Sequence, residues 1–144
     1  MKKAVEYTLK AEKREFEQVK IISAENAVAY ARNFYHDGIL IYESSFIILL
    51  NSANKAIGYA KISQGGVCQA VVDTKIVAKY AVDTLASGII LIHNHPSGNK
   101  RPSNEDRRMS ENLKSILNIL GVKLLDSIIL SDDSYLSMMD EGLI

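Results

Sequence analysis

Two histidines one residue apart, His93 and His95, end the apolar run from Gly88 to Ile92, and Ser103-Asn104-Glu105-Asp106 follows a loop that carries Pro96, Gly98 and Pro102. Successive strand side chains alternate faces, so the two imidazoles point the same way. The prolines and glycine turn the chain, and Ser103 opens a stretch of helical periodicity that places Asp106 in its first turn. Such a chain brings a strand end and a helix start together. Two imidazoles and a carboxylate meeting there form three N/O ligands of the kind a catalytic zinc ion uses, with the fourth position left for water.

The same residues admit a structural reading. Ser103 to Asp106 fit the [ST]-x-x-[DE] pattern of a capping box, in which Ser103 is only an N-cap and Asp106 its reciprocal partner, and the histidines are ordinary polar loop residues. Two of the chain's three histidines gather with an aspartate at one strand-loop-helix junction, and that concentration favours the metal reading.

With 144 residues the chain suits one domain with a substantial core, divided here into an N-terminal strand or extension (1–22) packed on a globular body (23–144). Its 47% hydrophobic and 24% charged residues are those of a soluble globular protein, and 17 basic residues balance 17 acidic ones. Zero net charge argues against an electrostatically driven nucleic-acid binder. The single cysteine, Cys68, excludes an intramolecular disulfide and a cysteine-rich zinc site, implies a reducing, cytoplasmic setting, and reads as a packed thiol more readily than as a nucleophile. No signal-peptide core and no membrane-spanning apolar run is expected, and so no membrane partner.

Along the chain, Val5, Tyr7 and Leu9 alternate with polar residues as in an edge strand, and the mixed-charge run from Glu12 to Glu17 reads as a solvated connection. Ser23 caps a helix over 24–35, which His36-Asp37-Gly38 ends, with His36 a solvated cap. A nearly continuous apolar strand covers Ile39 to Leu50, within which Glu43 is either exposed at a strand break or aimed at a positive charge. Ala56 to Ser63 pairs back as a hairpin arm, and Gln64-Gly65-Gly66 is a loop. Asp73 caps a helix whose face is Ile76, Val77, Tyr80, Ala81 and Leu85. The helix after Ser103 buries Met109, Leu113, Ile116, Leu117 and Leu120 and stops at Gly121; strands over Val122 to Leu130 and Tyr135 to Met138 complete the chain. Alternating strands and helices predict an α/β fold, a mixed sheet with helices on both faces.

Written as H-x-H-x7-S-x2-D, with Pro96 after the second histidine, the stretch resembles the JAMM motif of JAB/MPN metalloproteases. His93-Asn94-His95-Pro96-Ser97-Gly98 with Pro102-Ser103 and Asp106 is similar to the RadC branch of that group. The likeness continues through the Ile57 to Gly65 arm and through Gly121 to Asp126 with Tyr135-Leu136-Ser137. The resemblance implies a cytidine-deaminase-like architecture and a zinc-dependent amide hydrolase. It makes His93, His95 and Asp106 the zinc ligands, Glu43 the general base, and Ser103 a hydrogen-bond donor to the developing oxyanion. The implied partner is a peptide or protein substrate. RadC proteins usually carry His after Leu-Leu-Asp, where this chain has Ser127, and their longer members carry an N-terminal helix-hairpin-helix region linked to DNA, for which this reading finds no room. A DNA-repair association, and with it a catalytically silent interaction module, is the alternative that the family name alone suggests. A zinc nucleobase deaminase needs P-C-x-x-C, which a single cysteine excludes.

Overall fold

The computed structural model describes residues 1–8, 10, 12, 17–35, 37–65 and 72–144. The expectations for Leu9, His36 and Cys68, and much of those for the Glu12 to Glu17 connection and the loop after Gln64, lie outside these residues. Five strands, β1 (Ser44–Leu50), β2 (Ala56–Gln64), β3 (Gly88–Asn94), β4 (Lys123–Leu130) and β5 (Tyr135–Ser137), form one sheet in the order β2-β1-β3-β4-β5. Only β3 and β4 run parallel, joined through a helix as a parallel pair requires; the other neighbours are antiparallel. The mixed sheet and its flanking helices are the α/β architecture expected.

Three helices cover it: α1 (Ala24–Ala31), α2 (Thr74–Asp83) and α3 (Asn104–Ile119). The central strands β1 and β3 are buried on both sides, and strand alternation divides their apolar side chains into two cores. Phe46, Ile48, Leu50, Ile90 and Ile92 pack with Val28 and Ala31 of α1. Ile47, Leu49, Ile89 and Leu91 pack with Val77 and Ala81 of α2 and Leu113 and Leu117 of α3. Ser23 and Asp73 cap their helices as the sequence predicts, accepting from the N–H groups of Asn26 at 3.2 Å and Lys75 at 2.9 Å.

Five expectations need correction. Val5 to Thr8 form no strand, and Val5 and Tyr7 are exposed; the segment that reaches the start of β2 is Val19 to Ile21, through a bridge between Lys20 and Lys55. The first helix stops at Ala31, and residues 32–34 close it as turns. The predicted strand from Ile39 begins only at Ser44, because Asp37–Leu40 is a 3-10 turn and the carbonyls of Ile39 and Tyr42 are bonded by the Asn94 side chain, not by a strand partner. In α2, Ile76, Tyr80 and Leu85 are exposed, and Leu85 has left the helix with φ of 54°. Similarly, Leu120 is exposed at the end of α3, whose buried apolar positions are Leu113 and Leu117.

Candidate metal centre

Parity sets the site. In β3, Ile89 and Leu91 face α2 and α3 while Ile90 and Ile92 face α1, so His93 is directed to the α3 side and Asn94 to the α1 side. His95 follows the strand end, its N–H donating to the carbonyl of Leu130 at 3.2 Å, and returns to the same side as His93. The two imidazole centroids are 5.1 Å apart.

Asp106 is the third residue of α3, and the capping box that the sequence predicts is complete. Ser103 Oγ accepts from the Asp106 N–H at 3.0 Å, and Asp106 Oδ2 accepts from the Ser103 N–H at 2.9 Å. The box that opens the helix thus also fixes the carboxylate. Its Oδ1 lies 3.4 Å from His93 Nε2 and its Oδ2 3.4 Å from His95 Nε2. These separations exceed good N–H···O lengths, and each imidazole faces a different oxygen of the carboxylate. The ring nitrogens of His93 are buried with no hydrogen-bond partner among the described residues, a cost of about 1–3 kcal/mol for each unpaired polar group. An ion bound at Nε2 removes one of those costs.

Glu43, immediately before β1, brings Oε1 to 4.0 Å from His95 Nε2. Glu43, His93 and His95 each offer an atom within 4.8 Å of the others, so Glu43 is also placed to hold a cation or a water beside one. Glu43 thus lies at the break before the strand, half-buried, with its carboxylate turned toward His95. Ser103 is exposed; its hydroxyl oxygen serves the cap, and the hydroxyl proton is not committed by that bond.

The electrostatics are those of mutually dependent groups. Burial pushes the Asp106 carboxyl up, but the imidazoles of His93 and His95 and the Ser103 N–H outweigh burial and hold it well below the usual carboxylate range. His95 is raised, first by Asp106, against the opposing effect of burial, with the Asn99 carbonyl and Glu43 adding to the rise. That carbonyl lies 2.5 Å from His95 Nδ1. An Nδ1–H donated there leaves the Nε2 lone pair facing Asp106, the arrangement a metal-ligating histidine uses.

Residues unremarked in the sequence complete the surroundings. Asn99 orients His95, and Asn94 ties β3 to the segment before β1. Ser110, one turn after Asp106, donates to the hydroxyl of Ser127 at 2.8 Å, so Ser127 contributes a buried hydrogen bond where the sequence departs from the RadC pattern. Only Asn94 left a legible signal, since strand alternation turns it away from the histidines into an apolar face where an amide needs partners.

The family model for the RadC-like JAB domain matches residues 21–143. The chain belongs to the RadC-like JAB domain family. Relatives in that family include a UPF0758 protein of Flavobacterium johnsoniae, 37% identical over 124 residues that make up 86% of this chain and 53% of the relative. A UPF0758 protein of Porphyromonas gingivalis is 41% identical over 103 residues, 71% of this chain and 45% of the relative. A third, of Geotalea uraniireducens, is 33% identical over 144 residues, 99% of this chain and 62% of the relative. This JAB domain thus spans about half the length of the curated relatives it matches. Among its described residues no helix is long and apolar enough to cross a membrane.

Proposed function

We propose that this domain is a zinc-dependent amide hydrolase acting on peptide or isopeptide bonds, with His93, His95 and Asp106 as the metal ligands. The observation that carries the reading is the position of the Asp106 carboxylate, 3.4 Å from the Nε2 atoms of both histidines. All three donors are nitrogen or oxygen, a set that suits zinc. Zinc held by such ligands supplies Lewis acidity and lowers the pKa of water to about 7.

Glu43 is the general base. Its Oε1 lies 4.0 Å from His95 Nε2, beside the residues that would hold the metal, where it would meet a water activated by that metal. Glu43 takes that proton and passes it to the leaving amine. Ser103, at the open end of α3, donates its hydroxyl proton to the oxygen on which charge develops; removing one such donor typically costs about 2.7–4 kcal/mol of barrier. Asp106 stays ionised through its imidazole neighbours and the positive end of the helix. The substrate class is a peptide or protein, and the balanced charge of the chain offers no support for nucleic acid.

Metal analysis of purified wild-type protein against His95→Ala and Asp106→Ala tests the site. Stoichiometric zinc in the wild type and its loss in both variants is the expected result; equal zinc in all three removes the basis of the proposal. Turnover of a quenched-fluorescence peptide library by wild type, lowered in Glu43→Gln to a small but measurable residual rate with zinc retained, tests the base.

A further inference from the structure

Glu43 lies outside any strand pairing of its own side chain, in the stretch between the 3-10 turn and β1, flanked by exposed Leu40, Ile41 and Tyr42. Something has to hold this stretch still. The side chain of Asn94, fully buried and inserted in sequence between the two histidines, does so through every polar atom it has. Its Oδ1 accepts from the Ser44 N–H at 2.8 Å and from the Ser44 hydroxyl at 3.2 Å. Its Nδ2 donates to the carbonyls of Tyr42 at 2.7 Å and Ile39 at 2.8 Å. An amide has two donor protons and two acceptor lone pairs, and here all four are used on the residues on either side of Glu43. The Glu43 carbonyl is itself taken by the Gly65 N–H at 2.7 Å, and the buried Tyr35 hydroxyl donates to the Ser44 carbonyl at 2.8 Å.

We propose that Asn94 is a positioning residue: it locks the backbone of residues 39–44 to the strand that carries His93, and so sets the Glu43 carboxylate against the two imidazoles. The inference rests on the role given to Glu43 above. One strand thereby delivers both halves of the site, His93 to one face directly and Glu43 by way of Asn94 on the other. Alanine cannot bond the segment. Aspartate keeps the acceptor for Ser44 but turns an oxygen toward the carbonyls of Ile39 and Tyr42, so it also fails to hold it.

Amide hydrogen exchange on the full chain decides the clamp without substrate. In wild type the two side-chain amide protons of Asn94 exchange slowly; exchange at the rate of a solvated amide overturns the proposal even if no variant folds. In Asn94→Ala the Ser44 amide exchanges faster by about tenfold or more, the effect of losing a buried hydrogen bond, while the amides of α3 keep their protection and zinc content equals that of wild type. Unchanged protection at Ser44, or loss of protection across α3 as well, counts against it. With the quenched peptide library, Asn94→Ala lowers turnover in the wild-type background and causes no further loss in a Glu43→Gln background, because it acts through Glu43; an equal loss in both backgrounds overturns the assignment. If Glu43→Gln itself turns over peptide like wild type, the base assignment fails, and the exchange results alone decide the clamp.

Discussion

Asp106 Oδ2 stands 3.4 Å from His95 Nε2, and each group moves the other's titration. The carboxyl is held below its ordinary 3.8, so its contribution to metal-free stability is present above that pH and is lost as pH falls toward the lowered value. The imidazole is raised above 6.5, so its contribution is complete below that pH and is lost as pH rises through the folded-state value. Chelator-treated protein is therefore most stable between 3.8 and 6.5 as far as this pair is concerned. Urea midpoints across the pH range check it. Asp106→Asn flattens both flanks, and zinc removes the alkaline decline, because a metal-bound imidazole has already lost that proton.

Ser103 has two separable tasks. Ser103→Ala removes the cap and costs about 1 kcal/mol of stability, read by urea denaturation. Ser103→Asn restores the cap without restoring a hydroxyl. Recovery of stability without recovery of peptide turnover supports the oxyanion role; turnover that returns with the cap alone shows that Ser103 serves only to fix Asp106.

Asp126 lies at a register shift between β3 and β4 and is buried. Burial raises its pKa above 3.8, against the bonds it accepts from the Ser137 hydroxyl and from the N–H groups of Met139 and Ser127, with Asp140 adding to the rise. A raised folded-state value means that its contribution is complete below 3.8 and is lost as pH rises through that value. Asp126→Asn keeps the two bonds accepted by Oδ1 and lets Ser137 Oγ accept in place of donating. The variant is expected to gain on wild type at neutral pH, with the difference narrowing in acid; thermal melts at several pH values measure it.

Leu85 ends α2 in the left-handed region, with φ of 54° and 84% of its surface exposed. The Ala86 N–H reaches back to the Ala81 carbonyl at 3.0 Å, so the position belongs to a helix-closing turn that glycine occupies without strain. Leu85→Gly gives up little packing and relieves about 1–2 kcal/mol of backbone strain, against a loss of about 0.4–1 kcal/mol from a freer unfolded chain. A net gain of about 0.5–1 kcal/mol in denaturant unfolding is expected.

Wherever consecutive residues carry the information, the sequence is explicit. The alternation that sends His93 and His95 to one side, the Ser103 to Asp106 box and the caps at Ser23 and Asp73 are all local geometry, and each is found where it was expected. Apolar patterning was less informative at element ends. The run at Leu40 to Tyr42 and Leu85 look like core from composition, yet they lie exposed outside the sheet and the helix because no partner accepts them there.

By itself the sequence determined the chemistry on offer: nitrogen and oxygen ligands, a strand end followed by a helix start, and an α/β alternation of elements. Tertiary structure decided whether those groups meet. It brought Asp106 across a loop to both imidazoles, matched the Asn99 carbonyl to His95, and gave Asn94 the segment that carries Glu43, a residue fifty-one positions away from it. Local periodicity fixes where a side chain points relative to its own strand or helix, whereas distances between elements follow from the packing of two cores on one sheet, and no short stretch of sequence encodes that packing.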